Sequence, residues 1–214
     1  MHVVITGANR GIGRAMHDRL VAAGHDVTGT ARAGDGFFEL DVMQPEQHRA
    51  LARALDSRPV DLLICNAGIY PDKGEDLADG FSPGIWAQTL ATNVTGVFLT
   101  VQALLPNLQA AQTARIAILS SRLGSQTLAG GGSYAYRASK AAALNLGRNL
   151  AVDLKPRGIA VGIYHPGWVR TDMGGDQGEI GVAESAEGLL QEFDALTPEQ
   201  SGCFRTWDGR DLPF

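Results

Sequence analysis

The sequence predicts a single doubly wound α/β domain over residues 1–214, a parallel sheet with helices on both faces. Three observations carry this expectation. Short continuous apolar runs, among them Val3-Val4-Ile5, Leu62-Leu63-Ile64 and Ile116-Ala117-Ile118-Leu119, suit strands buried on both faces. Stretches of helical periodicity alternate with those runs, and a glycine-rich turn follows the first of them directly. A chain of 214 residues can bury a sizeable core, and no linker, low-complexity tract or internal repeat divides it.

Taken in order, Val3-Val4-Ile5 leads into Thr6-Gly7-Ala8-Asn9-Arg10-Gly11-Ile12-Gly13. Gly7, Gly11 and Gly13 let the chain turn sharply and bring its backbone close to a ligand, while the next helix offers free N–H groups and a positive dipole end. The turn therefore reads as a phosphate cradle, although its spacing is not the G-x-G-x-x-G of the common dinucleotide fingerprint. A helix is expected over 14–23, closed by Gly24, and a second strand over 26–32. That strand ends in Thr30-Ala31-Arg32, without the acidic residue that would hold a ribose 2′-hydroxyl. Arg32, with Arg10 in the glycine loop, suits a 2′-phosphate instead, so NADP is expected over NAD.

A third strand is expected over 37–42, a helix from Pro45 through about Ser57, and a fourth strand over 60–65. Asp41 and Val42 stand at the end of the third strand and Asn66-Ala67-Gly68 at the end of the fourth. In an open α/β sheet, ligands bind in the crevice beyond these carboxyl ends. Two consecutive helices follow over about 81–111, with Asn93 near their junction. The fifth strand, 113–119, delivers Ser120 and Ser121 to the same crevice. After Gly130-Gly131-Gly132 comes a long helix with Tyr136 at its start, running to about Leu154, and a sixth strand covers 159–164. Next come the rigid turn His165-Pro166-Gly167-Trp168-Val169-Arg170-Thr171 and a glycine-rich stretch, 174–181, that reads as mobile. A late helix around Leu189 to Phe193, a capped turn at Thr197-Pro198-Glu199-Gln200 and a last strand over 203–207 complete the chain.

Composition narrows the partners. The formal charge of −5 carries no basic stripe, which argues against nucleic acid and for small molecules. Cys65 and Cys203, far apart in apolar runs, read as buried reduced thiols of a cytoplasmic protein. The chain opens directly on a strand with no charged leader, and no run approaches the roughly 18 uninterrupted apolar residues of a membrane span.

The long helix carries Tyr136 and Lys140, four residues apart and hence on one face. An ammonium held there favours phenolate and lowers the pKa of a tyrosine, which makes the pair a candidate tuned proton donor. The same spacing also fits an amphipathic surface pair. Tyr134 is a competing phenol, but the residue four beyond it is Ala138.

Together, Thr6 to Gly13, Asn66-Ala67-Gly68, Asn93, Ser121, Tyr136-x-x-x-Lys140 and Pro166-Gly167 stand in an order that resembles the classical short-chain dehydrogenase/reductase family. Tyr134 to Lys140 and His165 to Gly175 resemble its sniffer-type carbonyl reductase and C-factor group. The resemblance implies a Rossmann-like fold and NADPH-dependent reduction of a ketone, aldehyde or quinone carbonyl, or oxidation of the alcohol, with no metal. Tyr136 would exchange a proton with the substrate oxygen. Lys140 would tune it and hold the nicotinamide ribose. Ser121 would polarise the carbonyl, with Ser120 the alternative, and Asn93 would hold a water linking Lys140 to solvent. Asn9, Arg10 and Ile12 would line the phosphates, Asp41 and Val42 the adenine, and Asn66, Ala67 and Gly68 the adenosine side. Pro166 and Gly167 would turn the chain over the nicotinamide, whose carboxamide Val169 and Thr171 would hold. Leu123, Tyr70, Tyr134 and Trp168 are candidate walls of a substrate pocket under a small lid. The likeness also implies a homodimer or homotetramer. Its C-factor side leaves a second reading, an NADP-binding signalling or scaffold protein with incidental turnover.

Overall fold

In a computed structural model that describes residues 1–34, 36–78 and 80–214, seven strands form one sheet, and every pairing between them is parallel. They are β1 (His2–Thr6), β2 (Asp26–Ala31), β3 (Phe38–Glu39), β4 (Leu62–Cys65), β5 (Ala114–Leu119), β6 (Ile159–His165) and β7 (Phe204–Thr206), ordered β3-β2-β1-β4-β5-β6-β7. The order reverses at β1, which pairs with β2 on one side and β4 on the other. A crevice opens at such a reversal, beyond the carboxyl ends of the strands.

The helices are α1 (Gly11–Ala22), α2 (Pro45–Leu55), α3 (Pro83–Leu90), α4 (Gly96–Ala110), α5 (Tyr134–Leu154) and α6 (Val182–Ala195). Strand side chains alternate between two cores, because successive residues point to opposite faces. Val4, Leu63, Ile116, Ile118 and Val161 pack under α2, α4 and α5 through Leu51, Leu104, Leu108 and Ala151. Val3, Ile5, Leu62, Ile64 and Ala117 pack under α1 and α6 through Met16, Leu20, Leu189 and Phe193. Both faces are thus covered, which is why the strands read as unbroken apolar runs.

Three local expectations change. The stretch over 81–111 is one rod rather than two helices, because a π-helical turn, Ala91–Thr95, joins α3 to α4 and carries Asn93. By length and composition this rod could span a membrane; its apolar face lies in the core through Val97, Val101, Leu104 and Leu108. The glycine-rich stretch after Met173 is tied back: Arg170 N donates to Ile180 O at 3.0 Å, Ile180 N to Trp168 O at 3.2 Å, and Trp168 Nε1 to Gly174 O at 2.9 Å. Composition showed its glycines but not these long-range partners. Of the two free thiols, Cys65 is buried, which pushes it up to about 12, whereas Cys203 is only partly covered.

Candidate active site

The crevice at the strand reversal is an open cleft of about 400 Å³. One end is built by the turn between β1 and α1. Gly7 and Gly11 have φ of +69° and +56°, which only glycine adopts without strain. A methyl at Gly13 would overlap Gly7 O and Asn66 Nδ2. Asn66 explains that crowding: Nδ2 donates to Thr6 O and Gly7 O, each at 2.9 Å. In return Thr6 Oγ1 accepts from Asn66 N at 3.0 Å and Ala67 N at 3.1 Å. The fourth strand's end therefore locks the glycine turn, and α1 begins at Gly11 rather than Arg14, with its N-terminus aimed into the cleft.

The predicted cofactor residues Gly7, Asn9, Arg10, Gly11, Ile12, Gly13, Arg32, Asp41, Val42, Asn66, Ala67, Gly68, Pro166 and Thr171 all border this cleft, together with Tyr136 and Lys140. Asn9 Nδ2 donates to Ala33 O at 3.4 Å, and Asp41 Oδ1 accepts from Met43 N at 3.0 Å. Gly167 and Val169 do not border it. Gly167, at φ +88°, packs a bare backbone against Ile180 and Trp207, and Val169 is buried. Arg10 differs from expectation. Its guanidinium bridges Asp172 at 2.6 Å across the cleft, with both side chains largely exposed. A glycine turn at positive φ, a helix N-terminus and a cleft lined from Arg32 to Thr171 fit an extended dinucleotide whose phosphates lie on the glycine turn.

The other end holds the chemistry. Tyr136 and Lys140, one turn apart on α5, are buried at 7 % and 6 % exposure. Lys140 Nζ lies 5.6 Å from the Tyr136 ring centre and donates to Leu119 O at 2.8 Å. Ser120 borders the cleft, but its Oγ donates to Lys140 O at 2.9 Å; Ser121 is buried outside the cleft lining, where its Oγ accepts from Leu123 N at 3.1 Å on the side of the Tyr136 phenol. Tyr70 stacks on Tyr136 with centroids 4.0 Å apart and planes 19° apart. Trp168 and Tyr134 are exposed, the latter edge-on to Phe81, and neither borders the cleft.

The electrostatic expectation needs correction. Burial pushes the Tyr136 phenol above the ordinary tyrosine value despite the Ser121 hydrogen bond that lowers it, and Tyr70 and Asp72 add to the rise. Burial also pushes Lys140 down to about 8. Desolvation disfavours both charged forms and is the first cause of each shift. Because unfolded Lys140 keeps its proton to higher pH, its burial costs stability at neutral pH, and that cost fades as pH rises above about 8.

Asn93 is likewise committed differently. Its Nδ2 donates to Ile69 O and Ser139 Oγ, each at 2.9 Å, while Oδ1 accepts from Ile69 N at 2.9 Å. Ser139 Oγ then donates to Tyr136 O at 2.7 Å. With both amide hydrogens used, the side chain braces the β4 exit against α5, and a water at Asn93 would be held through an oxygen. One residue had no signal in the sequence: Asp72, fully buried, whose Oδ2 accepts from Ala135 N at 2.8 Å and Tyr136 N at 3.2 Å.

Known proteins are similar to this chain in sequence and fold. Residues 1–179 match the family model for short chain dehydrogenase. The C-signal protein of Myxococcus xanthus is 39% identical over 171 residues, 78% of this chain and 99% of its own. The NADPH-bound carbonyl reductase from chicken fatty liver superposes with TM-score 0.91 at 30% identity, over 100% of this chain and 98% of that one. Carbonyl reductase Sniffer of D. melanogaster superposes with TM-score 0.93 at 29% identity, over 100% and 99%. With its seven-stranded parallel sheet, glycine turn and buried tyrosine–lysine pair, this chain belongs to the short-chain dehydrogenase/reductase family and is an NAD(P)-dependent oxidoreductase.

Proposed function

We propose that this oxidoreductase reduces the carbonyl of a ketone, aldehyde or quinone with NADPH, Tyr136 giving the proton. The observation that carries the reading is one buried cluster in which Tyr136 stacks on Tyr70, Lys140 stands behind its ring and Ser121 lies on the side of the phenol. When bound, NADPH supplies the hydride. The Ser121 hydroxyl donates to the substrate oxygen and holds it beside the phenol, an electrostatic role worth about 3 kcal/mol for one well-placed donor. Tyr136 stays protonated at neutral pH, so the donor is loaded for reduction. Charged Lys140 then stabilises the phenolate left behind. Likeness to carbonyl reductases of the sniffer group supports the substrate class. The test is NADPH oxidation across a panel of ketones, aldehydes and quinones by wild type and Tyr136→Phe. At least one compound should be turned over far faster by wild type; NADPH binding with no turnover above the variant would sink the reading.

The preference for NADPH rests on the ribose end of the cleft, where Ala31, Arg32 and Ala33 present a cation and no carboxylate. Arg32→Ala should weaken NADPH about tenfold, the worth of one charge-assisted hydrogen bond, and leave NADH unchanged. Equal NADPH and NADH affinities in wild type would refute it. Leu90, Phe98 and Val152, exposed on the α3–α4 rod and α5, are apolar surface that a homodimer or homotetramer would cover. The second reading, an NADP-binding signalling or scaffold protein with incidental turnover, draws on the similarity to C-signal. The same panel decides between the two.

A further inference from the structure

The start of α5 lacks an ordinary cap. The amides of the second and third residues of a helix have no intrahelical partner, and the N-cap side chain usually accepts them from an extended backbone. Ser133 occupies the N-cap position but is left-handed, with φ 47° and ψ 45°, a sparsely populated conformation for a residue with a Cβ. It makes no cap bond, and its hydroxyl is instead hydrogen-bonded to Tyr70 OH. The two amides it would have accepted belong to Ala135 and to Tyr136 itself. Both go to Asp72 Oδ2, from a loop 63 and 64 residues earlier.

Asp72 is an expensive choice for this. It is fully buried, and among the described residues its Oδ1 has no hydrogen-bond partner. A buried carboxylate with half its acceptors unused costs far more than a serine or asparagine cap on the helix itself. What the long-range cap adds is a link between two parts of the site. The same short loop stacks Tyr70 on the Tyr136 ring and, through Ile69, is held by Asn93. The loop leaving β4 therefore grips the tyrosine at its backbone nitrogen and its ring, while Ser139 takes its carbonyl.

We infer that Asp72 is a positioning residue for the proton donor: as the cap of α5 in place of Ser133, its carboxylate fixes Tyr136 where Ser121 and Lys140 meet it. The inference rests on the reading of Tyr136 as that donor. It is tested by comparing wild type with Asp72→Ala, which removes the acceptor, and Asp72→Asn, which keeps one carbonyl oxygen of the same reach. Readouts are hydrogen exchange at Ala135 N and Tyr136 N, NADPH affinity, and kcat on any panel compound that is turned over. In Asp72→Ala the two amides should exchange about tenfold faster or more, as for a lost cap. Its kcat should fall about tenfold or more, as for a displaced catalytic group, with NADPH affinity within about twofold of wild type. Asp72→Asn should restore most of both. If Asp72→Ala does not fold, Asp72→Ser, too short to reach both amides, takes its place with the same expected results. Unchanged exchange in the alanine variant would overturn the inference whatever happens to turnover. So would a kcat loss matched by an equal loss of NADPH affinity. Faster exchange in the variant alongside a wild type that turns over no compound would sink the reductase reading while upholding the anchor.

Discussion

Tyr136→Phe is expected to lower kcat for carbonyl reduction by about 10³-fold while leaving NADPH affinity within about twofold of wild type. The substitution removes one oxygen. The ring that stacks on Tyr70 stays in place, as do the backbone bonds to Asp72 and Ser139, so packing around the site is kept. What goes is the buried hydroxyl, the proposed proton donor. The pH dependence of wild type should follow Lys140. Its ammonium stabilises the phenolate formed as the proton leaves, and burial sets its value at about 8 in the free protein. Reductive kcat/KM should therefore be flat toward neutral pH and fall as pH rises through about 8, tenfold for each further unit. A kcat/KM that instead climbs above pH 8 would show that neutral Lys140, or an already ionised tyrosine, is the working form. A Tyr136→Phe variant with near-wild-type kcat would remove the tyrosine from the reaction altogether.

Much of this site was legible because its residues sit at the carboxyl ends of strands that announce themselves as apolar runs. The glycine turn, Asn66, Ser120 and the Tyr136–Lys140 pair could be placed in one crevice from topology, and all border it; Ser121 lies just outside its lining. Quantities that depend on surroundings were not legible. The i,i+4 spacing gives a distance between phenol and ammonium but says nothing of how dry the space is, and dryness reverses the expected shift of Tyr136. Arg10 advertises a cation for phosphate, yet its partner here, Asp172, lies 162 residues away. Asp72 carries no local motif: its role exists only because Ser133 is left-handed, and neither residue's neighbours signal that conformation. The π turn that aims Asn93 at Ile69 is equally silent in the sequence, since α- and π-helical turns share one apolar periodicity at this length.

Gly13→Ala is the substitution expected to do most damage at the other end of the cleft. Gly13 lies in the first turn of α1, where alanine is ordinarily the better helix former by about 1 kcal/mol, so propensity alone would predict a gain. Packing decides otherwise. The added methyl would meet Gly7 O and Asn66 Nδ2, a backbone atom and a side chain already held by two hydrogen bonds, and neither can swing away without unlocking the turn. Forcing a methyl into such a contact costs about 2 kcal/mol, which in a chain of this length lowers Tm by about 4–8 °C. The displaced turn is also the proposed phosphate cradle, so NADPH affinity should fall about a hundredfold, the combined worth of two or three well-aimed donors. Gly84→Ala is the matching control. It lies near the start of α3, its nearest neighbour would be Ser82 Oγ at 3.8 Å, and it should leave Tm equal or slightly raised and NADPH affinity unchanged. Thermal melts with and without NADPH, read beside direct NADPH titration, separate the two effects: a damaged cradle lowers the melt and abolishes most of the NADPH-dependent rise. Were Gly13→Ala to melt and bind as Gly84→Ala does, the close approach of α1 to the β4 exit would not be what shapes the cofactor site.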